Sequence, residues 1–392
     1  MPPFVQNINV YKTFLLFYHL SPIHAPVFAK HAAVLHKYRS FYCLDTSKDI
    51  CLVYFPVKCY THYNLTYSLS WYPVPQDTLL PADTDKGVYI MNEKIRRIQD
   101  LKKEKNAVIM AHYYVPDEVQ DIADYIGDSY YLSDMAAKID ADIIVLCGVS
   151  FMGESAKILN AGKKVLMPAA DADCPMAHMA DVEKIQEVRS KYNDLAVVCY
   201  VNSTAELKAH SDVCVTSSNA LKIVRALPEK NIYFIPDQNL AHYIADQLPE
   251  KNFIFNDGYC HVHHNLLREQ VIEAKKARPD ALLLVHPECR PEVTELADYV
   301  GSTSGIINYA TESDHKEFLI STEMGVFYQL KKKNPGKTFY TAGNMQICPN
   351  MKKISLDKVI DALENEVTEV IMDERFMERA HAPMQRMLEL SE

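Results

Sequence analysis

One pattern, written three times, constrains this chain more than any other feature. An apolar run ends in a polar residue, an amphipathic segment follows, then an aspartate, and five positions later a hydroxyl residue. The copies run Ala107 to Ser129, Leu195 to Ser217 and Ala281 to Thr303. His112, Tyr200 and His286 close the apolar runs, each 17 positions before its hydroxyl residue, Ser129, Ser217 or Thr303; Asp124, Asp212 and Asp298 are the intervening aspartates. Cys174, Cys260 and Cys348 then follow the hydroxyls by 45, 43 and 45 residues, each after a lysine (Lys164, Lys251, Lys337) and a short strand-like run. A step of 86 to 88 residues is too long for a solenoid unit and suits a small α/β domain.

The segments between landmarks read as strands alternating with helices, which implies parallel pairing through helical crossovers. Asn92 to Lys105 is a charged amphipathic helix and Ala107 to Ala111 a short buried strand. Pro116 starts a helix, Tyr130 to Ile139 forms another, and Asp142 to Cys147 a second strand. Gly153 to Leu159 is helical, Lys164 to Met167 a third strand, and Cys174-Pro175 opens a helix running to about Tyr192. The expected fold is α/β: three homologous parallel-sheet domains, 89–178, 179–264 and 265–350, around a pseudo-threefold axis, with a helical tail, 351–392, packed on the body.

Residues 1–88 differ from the rest. They hold 16 aromatic residues but only 12 charged ones, and Gly87 is their one glycine. They match a secretory signal poorly. Cys43, Cys51 and Cys59 are evenly spaced without completing a usual zinc pattern. The segment reads as an ill-structured extension, or as sequence upstream of a start at Met91. Over the whole chain, a net charge of −10 argues against nucleic-acid or anionic-membrane partners. No 18-residue apolar run indicates a membrane span. Ten scattered cysteines fit reduced thiols or metal ligands in a cytoplasmic protein.

Three equivalent domains around one axis would bring Cys174, Cys260 and Cys348 together. Three converging thiolates can hold a four-iron, four-sulfur cluster with one iron open, or a zinc ion with water in its fourth place. Cys147, Cys199 and Cys214 do not recur in register and read as small hydrophobes. Ligands of open α/β domains bind beyond the carboxyl ends of the strands. That puts His112 and Tyr114, Tyr200 and Asn202, and His286 and Glu288 around one space. Ser129, Ser217 and Thr303 each precede a helix, where they either seat a phosphate or carboxylate or merely cap the helix. Glu288, the one carboxylate among these strand-end positions, is the natural general base.

Taken together, GDS, YVNST, TSSNA, DGYCHVH, HPEC, YVGSTSG and CPNMKK resemble the quinolinate synthase family of bacterial NAD biosynthesis, from about Met91 to Glu392. The resemblance implies three homologous α/β domains around a [4Fe–4S] cluster on Cys174, Cys260 and Cys348. It implies condensation of iminoaspartate with dihydroxyacetone phosphate, loss of phosphate and water, and closure of the pyridine ring. It assigns substrate contacts to His112, Tyr114, Ser129, Tyr200, Asn202, Ser217, His286, Glu288 and Thr303, with catalytic work on Glu288, His286, Tyr114 and His112. It also implies an aspartate-oxidising enzyme as the source of iminoaspartate. Some members carry two further cysteines soon after the last ligand; Asn350 to Leu356 has none, so a redox disulfide is not expected there.

Overall fold

Runs such as Ile143–Cys147 are apolar at every position, so they bury both faces and pair in parallel beneath covering helices. The computed structural model describes residues 84–392, in which twelve strands form three four-stranded, all-parallel sheets. The first contains β1 (Ala107–His112), β2 (Tyr125–Gly127), β3 (Ile143–Cys147) and β4 (Lys164–Leu166) in the order β2-β1-β3-β4. The second contains β5 (Leu195–Tyr200), β6 (Val213–Val215), β7 (Asn231–Ile235) and β8 (Asn252–Phe255), ordered β6-β5-β7-β8. The third contains β9 (Leu282–Val285), β10 (Tyr299–Val300), β11 (Glu317–Ser321) and β12 (Thr338–Thr341), ordered β10-β9-β11-β12. The strand order reverses between the first and third strand of each sheet, where an open α/β sheet leaves a crevice.

The recurring aspartates are structural. Asp124, Asp212 and Asp298 each accept the backbone N–H of Ile109, Val197 and Leu283 through Oδ2, at 2.8, 2.6 and 2.7 Å. In return each donates its own N–H, at 2.9 Å, to the carbonyl of that same residue. One side chain thus starts the first-to-second strand pairing in every copy, and a cation sits beside it: Lys102, Arg189 or Lys275.

The recurring lysines anchor carbonyls at the end of the helix that leads into the third strand of each copy. Lys251 reaches Leu227 and Glu229, and Lys337 reaches Ala310 at 2.6 Å and Thr311 at 3.2 Å. In the first copy the residue that does this is Lys163, which donates to Ile139 O; Lys164 instead pairs with Glu366.

Other boundaries also differ from expectation. The first helix among the described residues spans Thr84–Glu104 and starts ahead of Asn92. Cys174-Pro175 opens only a single 3-10 turn, Pro175–His178; the helix proper is Val182–Lys191, and Asp181 caps it by accepting from Lys184 N–H at 2.6 Å. The tail is two helices, Leu356–Asn365 and Glu374–Ser391. Between them Glu369 bridges antiparallel to Leu166 at the β4 edge. The second tail helix lies against helix Ala205–Ala209, β6 and helix Ser150–Leu159. One continuous core joins the first two sheets and the tail, whereas the third sheet has a separate core on each face, Leu284 pointing into one and Leu283 and Val285 into the other. The expectations for residues 1–83, including Cys43, Cys51 and Cys59, lie outside the described residues. Among the described residues no helix is long and apolar enough to cross a membrane.

Candidate active site

All twelve candidate cysteine and substrate-contact residues line one cavity that is open to solvent. His112, Tyr200 and the residues after β9 arrive there because the three strands end at it. Cys174, Cys260 and Cys348 come from three different sheets, each following the last strand of its copy, and none is paired in a disulfide. Backbone N–H groups of the next turn act to lower each thiol: Ala177 and Met176 on Cys174, His263 on Cys260, and Met351 and Asn350 on Cys348. Burial nonetheless pushes the Cys174 thiol up to about 12 and raises Cys260 and Cys348. Thiolates desolvated to this degree persist when a bound cation neutralises them. Three half-buried, unpaired sulfurs lining one cavity have the chemistry of a thiolate donor set for a metal.

Glu288 stands at the middle of the polar network. It accepts from Tyr200 O–H at 2.6 Å, and its Oε2 lies 2.7 Å from His263 Nδ1 and 3.8 Å from His286 Nδ1. Burial alone would raise its pKa. The neighbouring imidazoles, with the hydrogen bonds from His263 and Tyr200, outweigh that and hold the carboxyl well below the carboxylate range. Glu288 is therefore an ionised, firmly oriented acceptor, and weaker as a base than burial alone would have made it.

The other titrating groups favour neutrality. Burial lowers His286 to about 3 and His112 to about 4, against the attraction of Glu288. Burial, reinforced by Glu288, raises the Tyr114 and Tyr200 phenols well above their ordinary value, so both keep their protons. Tyr114 OH lies 2.8 Å from both Thr303 Oγ1 and Thr322 Oγ1.

The hydroxyl residues are not the helix caps. Asp128 caps helix Ser129–Lys138 and Ser302 caps helix Thr303–Glu312, so Ser129 and Thr303 are the first helical residues. Ser217 precedes helix Ala220–Ala226, and its neighbour Ser218 donates to Asp128 Oδ2 at 2.9 Å, tying the second copy to the first. Asn202 Oδ1 is buried without a hydrogen-bond partner among the described residues, although Asn202 lines the cavity; such an acceptor calls for a donor from a ligand.

Reading the sequence missed five residues here. His263 lies 3.3 Å from Cys260 Sγ through Nδ1 and 3.0 Å from Thr322 Oγ1 through Nε2. Asp128 and Glu323 line the cavity, while Thr322 and Asp237 adjoin it through their bonds to Tyr114 and Cys260. Asp237 and Glu323 lie 86 positions apart, a signal within the repeat that Val149, their counterpart in the first copy, breaks.

The family model described as Quinolinate synthetase A protein matches residues 96–389. This chain belongs to the quinolinate synthetase A family. A quinolinate synthase of Caldicellulosiruptor saccharolyticus is 53% identical over 300 residues, 76% of this chain and 99% of the relative. That of Clostridioides difficile is 51% identical over 296 residues, 76% of this chain and 97% of the relative. That of Aquifex aeolicus is 48% identical over 313 residues, 79% of this chain and 96% of the relative. Three parallel sheets, each delivering one cysteine to a shared cavity, are therefore the frame of a quinolinate synthetase A family member.

Proposed function

We propose that this chain is a quinolinate synthase that condenses iminoaspartate with dihydroxyacetone phosphate to form quinolinate, phosphate and water. The observation that carries the reading is the convergence of three cysteines and nine polar candidates, spread over three sheets, on one cavity. Relatives of the same name that align over almost their whole length support it. Cys174, Cys260 and Cys348 would hold a [4Fe–4S] cluster with one iron left open. Its open iron would supply Lewis-acid activation of a hydroxyl or ketone oxygen.

The protein's own groups would do the rest. N–H groups and hydroxyls at Ser129, Ser217 and Thr303 seat phosphate and carboxylates without adding full charge. Asn202 Oδ1 takes a donor from the substrate. His112 and His286, neutral at working pH, orient the carbon skeleton and pass protons. Tyr114 and Tyr200 donate protons, and Glu288, in line with Tyr200 and His263, receives one during enolisation and dehydration. The substrate is small and unstable, so an aspartate-oxidising enzyme would supply it, and the reaction would run in the cytoplasm.

One observation favours a second reading, a single divalent ion. Cys260, His263 and Glu288 offer S, N and O donors within 4.8 Å of one another. The two readings separate on anaerobically purified protein. A brown, broadly absorbing protein that forms quinolinate from the two substrates supports the cluster enzyme. A colourless zinc protein would replace that reading with a zinc lyase, and a brown protein without quinolinate formation would leave an iron–sulfur sensor. Cysteine substitution tests the ligands: Cys174→Ser, Cys260→Ser and Cys348→Ser each lose cluster and activity, whereas Cys199→Ser and Cys214→Ser keep both. Full iron and sulfide in Cys260→Ser would overturn the assignment.

A further inference from the structure

The loop carrying each cysteine is tethered in the same way in all three copies. The N–H of Ser150, Gln238 and Met324, just after the third strand, donates to the carbonyl of Ala172, Gly258 and Gln346, each at 2.8 Å. The cysteine follows that carbonyl by two residues. A second tether depends on a side chain and differs between copies. Asp237 accepts the N–H of Cys260 through Oδ2 at 3.1 Å and that of Leu240 through Oδ1 at 2.7 Å. Glu323 accepts the N–H of Cys348 through Oε1 at 3.0 Å and that of Gly325 through Oε2 at 2.6 Å. Both side chains are wholly buried, and Lys352 pairs with Glu323 at 3.0 Å. The first copy has Val149 at this place and cannot do the same. There Asp173, half-exposed, accepts the N–H of Cys174 through Oδ1 at 2.8 Å and meets His178 through Oδ2.

We propose that Asp237 and Glu323 are positioning residues for the cluster, each clasping the backbone of a cysteine ligand so that its sulfur faces the shared cavity. The inference rests on the three-cysteine cluster proposed above. Two acceptor oxygens on one rigid group suit two N–H donors, one at the start of the following helix and one on the cysteine. An amide in the same place offers one acceptor and sets its NH2 against the other N–H, so Asp237→Asn and Glu323→Gln each lose one bond and gain a clash of donors. Water competes for the half-exposed Asp173, so Asp173→Asn costs less.

The test compares the full-length wild-type chain with these three variants after anaerobic cluster reconstitution. It reads the thermal midpoint, iron and sulfide per chain, the rate of iron transfer to a ferrous chelator, and the electron paramagnetic resonance spectrum of the dithionite-reduced protein. Asp237→Asn and Glu323→Gln are expected to fold, to release iron about tenfold faster than wild type and to show shifted resonance positions. Asp173→Asn is expected to release iron faster than wild type but more slowly than either. Folded Asp237→Asn and Glu323→Gln with wild-type iron release and spectrum would overturn the clasp. If both fail to fold, Asp173→Asn decides, and wild-type release there overturns it. A wild-type chain that takes up no iron and sulfide would instead sink the cluster itself.

Discussion

Glu288 is held from two sides in the cavity, with Tyr200 and His263 both within 2.7 Å of it. Glu288→Gln keeps the shape but removes the proton acceptor, so turnover should fall by about 10² to 10⁴ with cluster content unchanged. Quinolinate formation at matched iron content measures this, and near wild-type turnover would move the base to Tyr114 or His112. The same network sets an acid limit on stability. His112 and His286 titrate at about 4 and about 3 in the fold, from an ordinary 6.5, so the folded chain holds fewer protons than the unfolded chain between those values. Their stabilising effect is complete above pH 6.5 and is lost as pH falls through about 4 and about 3. The thermal midpoint of metal-free protein should therefore decline below pH 6.5, and less steeply in His112→Gln; equal slopes would refute this source. The twelve candidates were legible because the repeat marked their places. His263 was not, because it follows Cys260 by three residues where the other copies have Ala177 and Met351.

At the level of elements, β1, β3, β5 and β9 are visible as apolar runs, and their alternation with helical segments implies parallel pairing. β2, β6 and β10 are not, because two or three residues are too few to show a period. What marks them is the aspartate just upstream, whose carboxylate completes the ladder of the preceding strand. This gives a stability prediction away from the cavity. Asp298→Ala leaves the Leu283 N–H without its 2.7 Å acceptor, and should cost about 1–3 kcal/mol in urea unfolding. Its half-exposed partner Lys275 contributes little, so Lys275→Ala should change stability far less. Equal losses in the two variants would show that the ion pair, not the strand N–H, is what the repeat preserves. The lysine register slipped by one position in the first copy because Lys163 and Lys164 are adjacent, and only coordinates tell which of them reaches Ile139 O.

For the whole molecule, the open matter is how much of the chain the enzyme needs. Residues Gly87–Glu392 form one compact unit, and the family match begins at residue 96. Helix Thr84–Glu104 sets the boundary more finely. It buries Ile98 and Leu101 in the core and pairs Lys94 with Asp357 and Arg97 with Glu364 on the tail, and all four of its residues lie beyond Met91. A chain starting at Met91 gives up seven helical residues, about two turns, and keeps every one of these contacts. The sequence before them is poor in charge and rich in aromatics, a composition that invites association when it is not buried. The Met91 chain should therefore fold, carry the cluster and form quinolinate at least as well as the full chain, with less aggregation. The rival is a lid or partner-binding arm anchored by tyrosines and Trp71. Both chains, purified without oxygen, are compared for iron and sulfide, quinolinate formation and size distribution. A short chain with an intact cluster and no activity would favour the lid. A short chain without the cluster would make residues upstream of Met91 part of the fold, and the last two turns removed from the helix would be the first place to look, by restoring the start to Thr84.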